Sequence, residues 1–245
     1  MKGMLRAILC AVAVLAAMSA ISAEATTYEV TAKFDSVINR KAVHLVKPGP
    51  DLYVYAGQYW FDKLGVSPDV AANPAYWLDE EFGGYCIDIQ QEINWNYTGT
   101  WQIEPLANAP IGQAMGQERA ELLQRLWGKH FVSGPYPEFQ VAVWELLVEN
   151  PANGYNVTTG DFYAPYGNEV NRTTINDWLL EITDAAYDGP VSNLMYAMTS
   201  SSTQDFAVLI ETGGQMVPEP VTLAGLALGS AGLIGYLRKR KGSAA

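Results

Sequence analysis

The chain has 245 residues, 49% of them hydrophobic and 11% aromatic, with a formal net charge of −11. That acidic excess argues against nucleic acid and anionic lipid as partners, since both are held by basic surfaces. The aromatic density, seven Trp included, belongs to a folded core and not to a disordered stalk.

The first segment, MKGMLRAILCAVAVLAAMSAISAEA, sets Lys2 and Arg6 before an apolar run from Ala7 to Ala17. This is the layout of a secretory signal peptide, and the run is short for a membrane span. Ala23-Glu24-Ala25 fits the small-x-small rule of the cleavage site, so residues 1–25 are expected to be removed and Thr26 to begin the mature chain. Cys10 leaves with that segment. Cys86 is then the single cysteine of an exported protein.

Residues 26–216 are long enough for one domain with its own core. Six of the 15 basic and two of the 26 acidic residues belong to the two ends, leaving nine against 24 and a body charge near −15. In chain order, TTYEVTAKFDSVI and KAVHLVKPGPDLYVYAGQYWFDKL alternate with period two and are broken by Pro48-Gly49-Pro50, which predicts strands joined by a turn. FGGYCIDIQQEINWNY predicts a further strand. Its alternation puts Tyr85, Ile87 and Ile89 on one face and Cys86, Asp88 and Gln90 on the other. Gly83-Gly84, just before the cysteine, leaves room for a neighbour to approach closely.

GQAMGQERAELLQRLWGKHF carries apolar residues at helical spacing, and PEFQVAVWELLVEN forms a second helix opened by Pro137 and closed at Asn150-Pro151. YNVTTGDFYAPYGNEVN reads as loop, TTINDWLLEITDAAYDG as a helix capped near Thr174, and QDFAVLIE as a final strand. The expected fold is α+β, a β-sandwich or barrel with an inserted pair of helices.

The second helix holds an anomaly. At 100 degrees per residue, Glu138, Ala142, Glu145 and Glu149 fall within about 60 degrees of one another and form its only polar stripe. Gln140 lies about 190 degrees from the middle of that stripe, between Leu147 and Trp144. This helix therefore points a carboxamide into the core, where an unpaired amide would cost about 1 to 3 kcal/mol. Something must meet it.

At the far end, VPEPVTLAGLALGSAGLIGYLRKRKGSAA runs from a Pro-Glu-Pro turn through 17 apolar positions, Val221 to Leu237, to a basic stop. That length is the lower limit of a spanning helix, and the basic residues place its end in the cytoplasm. Val217, Pro218, Glu219 and Pro220, the apolar segment, and Arg238, Lys239 and Arg240 together resemble the PEP-CTERM sorting signal over residues 217–241. The resemblance implies processing by an exosortase in a Gram-negative bacterium that makes extracellular polysaccharide. The protein would pass through the inner membrane to the cell surface or matrix. A plain C-terminal membrane anchor accounts for the apolar run and the charges but not for the Pro-Glu-Pro.

Tyr85-Cys86-Ile87 and Gln140-Val141-Ala142-Val143-Trp144 resemble the thioester domains of bacterial surface adhesins, and with the YAGQYWF and QDFAVLI strands the pattern also resembles a group of PEP-CTERM proteins with this domain, across most of residues 50–210. The resemblance implies that Cys86 and Gln140 are joined side chain to side chain. The thiol displaces ammonia from the amide, and an amine or hydroxyl on a target later displaces the sulfur. Such acyl transfer happens once and is not enzymatic turnover, though it follows the rules of covalent catalysis. The pair is 54 positions apart, so the bond would also stabilise the fold like a disulfide, by roughly 4 kcal/mol.

Other readings stand beside this one. Cys86 is inert in a structural or carbohydrate-binding matrix module, with Gln140 hydrogen-bonded to a strand edge. A cysteine hydrolase would pair Cys86 with His44 or His130, although His130, ending the first helix, is expected to cap its carbonyls. No cofactor is expected. Two histidines and one cysteine make no zinc cage, and Asp79-Glu80-Glu81 reads as a solvated loop, not a cation site.

Overall fold

The computed structural model describes residues 26–112, 114–131 and 137–210. The expected signal peptide at 1–25 and the sorting segment at 217–241 lie outside the described residues.

Strands β1 (Tyr28–Leu45) and β2 (Leu52–Ser67) form a long antiparallel hairpin. It turns where Pro48-Gly49-Pro50 interrupts the alternation, and Gly49 takes the left-handed φ of 96° that a side chain would resist. Three register shifts, after Thr31, Phe34 and Ile38, bend the hairpin as barrel closure requires. β3 (Glu81–Cys86) pairs with β2, while β4 (Thr98–Pro105) returns to the outer edge of β1. β5 (Met195–Thr199) and β6 (Phe206–Leu209) fill the gap between β4 and β3.

The order β1-β2-β3-β6-β5-β4 closes on itself, so the sheet is an antiparallel barrel and not a sandwich. Closure removes the open edges that a sandwich would leave. Phe34, Phe61, Trp101 and Phe206 come from four different strands and are all fully buried. Their centroids lie 5.7 Å apart for Phe34 and Phe61, 5.9 Å for Phe61 and Trp101, and 4.9 Å for Phe61 and Phe206. These edge-on and tilted pairs fill the barrel with rings.

Three helices lie between β4 and β5: α1 (Gln117–His130), α2 (Pro137–Val148) and α3 (Arg172–Thr183). The first two match the helical periodicity. The cap of the third is Asn171, whose Oδ1 accepts the Thr174 N–H, not Thr174 itself. His130 does not cap α1. It reaches across to Glu181 at 3.1 Å and stacks on Trp178 of α3.

The predicted strand over 82–97 ends early, because β3 stops at Cys86 and residues 87–97 run as irregular chain. Two strands went unrecognised: TGTWQIEP, which is β4, and MYAMT, which is β5. The Gly pair acts as expected. A Cβ on Gly83 would sit 2.2 Å from Gln58 Nε2, and one on Gly84 would sit 3.2 Å from the Ala207 carbonyl of β6.

One buried amide ties the barrel end to the turn after β2. Asn73 is fully buried, and its Nδ2 faces the carbonyls of Glu29, Ser67 and Pro68 at 3.1 to 3.2 Å. Its Oδ1 accepts the Ala75 N–H at 3.0 Å. Asn73→Ala strips partners from buried backbone groups and is expected to cost about 2 kcal/mol. Urea unfolding measures it, and a loss within error of zero would mean that water replaces the amide.

Candidate functional site

Helix α2 is enclosed on every side. It packs against β2, β3, α1 and α3, and Tyr85 of β3 meets Phe139 of α2 with ring centroids 4.6 Å apart. Trp127 of α1 and Phe131 extend that aromatic wedge. A helix apolar on nearly all faces belongs in such a place. The polar stripe is no exception, because Glu145 and Glu149 are fully buried beneath the 150–164 segment. Glu149 accepts from the Asn150 and Phe162 N–H groups, both at 2.8 Å, and from Asn153 Nδ2 at 2.7 Å. Glu145 accepts only the Asn156 N–H, at 2.6 Å, through Oε1. Burial, then the charge of Glu149, pushes the Glu145 carboxyl up to about 8.

Gln140 faces away from that stripe and meets Cys86. Both residues are fully buried. The Cys86 N–H donates to Gln140 Oε1 at 2.9 Å, and Gln140 Nε2 donates to the Cys86 carbonyl at 2.9 Å. Within a strand, one residue's N–H and C=O point the same way, so the carboxamide takes the place of a missing neighbour strand at the end of β3. On its other side Cys86 is in register with Phe206 of β6. This double bond pattern explains why β3 ends here, and it brings together the two residues singled out in the sequence.

The sulfur has its own surroundings. Trp144, one turn beyond Gln140 on α2, donates its Nε1–H to Cys86 Sγ at 3.3 Å. Gln204 donates from Nε2 to the same sulfur at 3.0 Å, and the thiol itself donates to the Asp88 carbonyl at 3.4 Å. Burial pushes the thiol up to about 12, against the pull of the Trp144 N–H. Asp205, next to Gln204, is also fully buried, and its Oδ1 accepts the Ser200 N–H at 2.6 Å. Burial raises that carboxyl to about 7, with the charges of Asp88 and Glu104 adding to the effect.

Gln204 was not anticipated from the sequence. The one signal was Gln204-Asp205, two polar residues directly ahead of an apolar strand. Both histidines are engaged elsewhere: His44 stacks on Tyr53 and pairs with Asp51 at 2.9 Å, and His130 pairs with Glu181. Among the described residues no three His, Cys, Asp or Glu side chains gather as a metal site would need. Likewise, among the described residues no helix is long and apolar enough to cross a membrane. The sorting residues Val217, Pro218, Glu219, Pro220, Arg238, Lys239 and Arg240 lie outside the described residues.

No protein-family model matches the chain, and neither a curated protein nor a solved structure is significantly similar to it.

Proposed function

We propose that this is an exported surface or matrix protein whose barrel carries a Cys86–Gln140 thioester for single-use covalent attachment to amine or hydroxyl groups. The observation that supports the reading is the Gln140 carboxamide held against the backbone of Cys86, with both residues fully buried. In bond formation, Cys86 Sγ attacks Gln140 Cδ, the C–N bond breaks, and the amide nitrogen leaves as ammonia with the thiol proton. In attachment, a target nitrogen or oxygen attacks the same carbon, the C–S bond breaks, and the target's proton passes to the sulfur. Effective molarity from holding the groups together replaces what an enzyme would do for a bimolecular reaction. Signal cleavage near Thr26 and exosortase processing at the Pro-Glu-Pro motif complete this reading. Its setting is the surface or polysaccharide matrix of a Gram-negative bacterium.

A second reading is favoured by the same hydrogen bonds. An intact Gln140 amide satisfies both backbone groups of Cys86, which is what a strand-edge clamp in a structural or carbohydrate-binding module would do.

Intact mass of the mature body, purified without amines, separates the two. The thioester protein is one ammonia lighter than its sequence, gains one methylamine at Gln140, and then exposes one thiol. Cys86→Ala and Gln140→Ala both abolish the deficit. A mass equal to the plain sequence leaves the clamp.

A further inference from the structure

Resting on the second reading, that of a carbohydrate-binding module, we propose that the groove between the outer face of the β1–β2 hairpin and the 167–169 segment binds a neutral polysaccharide chain. Tyr53 and Tyr55 of β2 stand opposite His44 and Ala42 of β1, and the alternation that buries Val43 and Leu45 turns these four outward. With Asn168 and Glu169 on the far wall they line a groove of about 420 Å³.

The rings are exposed but not loose. Tyr53 is 79% exposed, yet one of its faces lies on His44, with centroids 4.5 Å apart and planes 4° from parallel. Asp51 holds His44 in turn, at 2.9 Å. Tyr55 carries the Arg40 guanidinium 4.5 Å from its centroid, and the same group lies 5.2 Å from the ring of Trp95, which stacks on Phe34. Apolar side chains scattered singly over a surface need no explanation. Rings that stay in water while polar partners fix their positions offer a ligand broad flat faces with little ordering left to do.

The wall is built as firmly. Asn168 Oδ1 accepts the His44 N–H at 2.6 Å, and its Nδ2 donates to the His44 and Pro165 carbonyls, both at 2.9 Å. Lys41 Nζ donates to the Glu169 carbonyl at 3.1 Å, and Tyr163 bridges to Val46. The 163–169 segment is thus pinned to β1 at Lys41, His44 and Val46, so the fold itself sets the width of the groove.

This chemistry suits a sugar. A pyranose presents C–H bonds on its faces and hydroxyls around its rim. The C–H face complements the negative face of an aromatic ring, and the exposed Glu169 supplies a carboxylate for charge-assisted bonds from the hydroxyls. Two rings two positions apart on one strand lie roughly 7 Å from each other, so the contact runs along a chain and not over a single sugar. Glu169 and the acidic body repel an anionic polysaccharide, which leaves a neutral one.

The experiment is native electrophoresis of the exported protein through gels cast with a neutral glucan, mannan or galactan, or with acidic alginate. Retardation by a neutral polysaccharide and not by alginate is expected. Tyr53→Ala and Tyr55→Ala are expected to bind about tenfold more weakly, and Tyr53→Phe, which keeps the ring, to recover most of the loss. Leu180→Ala, a similarly exposed apolar position on α3, is the control and binds as wild type. Should Tyr55→Ala disturb the Arg40 stack and with it the fold, Glu169→Gln keeps the shape of the wall, removes its charge and weakens binding. Release by urea marks the binding as reversible. Protein that stays on the polysaccharide in urea would assign the retardation to acyl transfer and overturn the groove. Wild type retarded by none of the neutral polysaccharides overturns the carbohydrate-binding reading itself. Wild type retarded, with the groove variants equal to it, overturns only the place of binding, and equal retardation by alginate overturns the neutral ligand.

Discussion

Gln140→Met is expected to lower the unfolding free energy by about 3 kcal/mol even in protein that never forms a covalent bond. The substitution leaves the Cys86 N–H and C=O without partners in a fully buried strand end, and each such group costs on the order of 1 to 3 kcal/mol. Cys86→Ala removes only a sulfur and the weak acceptor it offers to Trp144 and Gln204. Measured by urea unfolding side by side, the two variants report on the bond. If the thioester is in place, each also forfeits the cross-link, roughly 4 kcal/mol for a loop of this length, and Cys86→Ala is no longer mild. If Gln140 only clamps the strand edge, Cys86→Ala stays mild. Equal stability of Gln140→Met and wild type would contradict both uses of the amide.

Stability is expected to fall as pH rises from about 4 to about 8, the reverse of a fold held by ion-paired carboxylates. Burial, aided by Glu149, raises Glu145 from 4.5 to about 8, and burial, aided by Asp88 and Glu104, raises Asp205 from 3.8 to about 7. Across the interval between unfolded and folded values, the native state keeps a proton that the unfolded chain has lost. By linkage its advantage is complete below the unfolded values and is lost as pH climbs through the folded ones. The combined loss is on the order of several kcal/mol. Urea midpoints taken between pH 4.5 and 8.5 measure it. Glu145→Gln with Asp205→Asn keeps both oxygen acceptors and should flatten the curve. A wild-type midpoint that is level or rises over this range would show that both carboxyls ionise freely in the fold.

What the sequence revealed follows from what each signal depends on. The β1–β2 hairpin was legible because alternation over many residues and Pro48-Gly49-Pro50 are both local. The Gln140 anomaly was legible because helical phase places a residue without knowledge of its neighbours. β4 was not, since Gly99 and Pro105 sit inside its eight residues and weaken any strand pattern. Its place is set by pairing with β1 across the barrel seam. The end of β3 was misjudged for a related reason. CIDIQ keeps alternating beyond Cys86, but there the neighbour is a side chain, Gln140, and Asp88 Oδ1 turns the chain by accepting the Gln90 N–H at 2.8 Å. The stripe of Glu145 and Glu149 looked like the wet face of α2, yet the covering 150–164 segment supplies the N–H groups that make their burial possible. Gln204 was invisible because its partner is 118 positions away.

That last separation also acts as a clock. The amino terminus of a chain leads during synthesis, and domains fold as units once their parts are present. Cys86 and Gln140 belong to the first two-thirds of the body, but the barrel stays open between β3 and β4 until β5 and β6 arrive. The second donor to the sulfur comes with them. A chain still being synthesised therefore has the cysteine and the Gln140 amide but neither the dry enclosure nor Gln204. The proposed Cys86–Gln140 bond would have to wait for the closing strands, and a stalled or truncated chain would lack the enclosure that protects it.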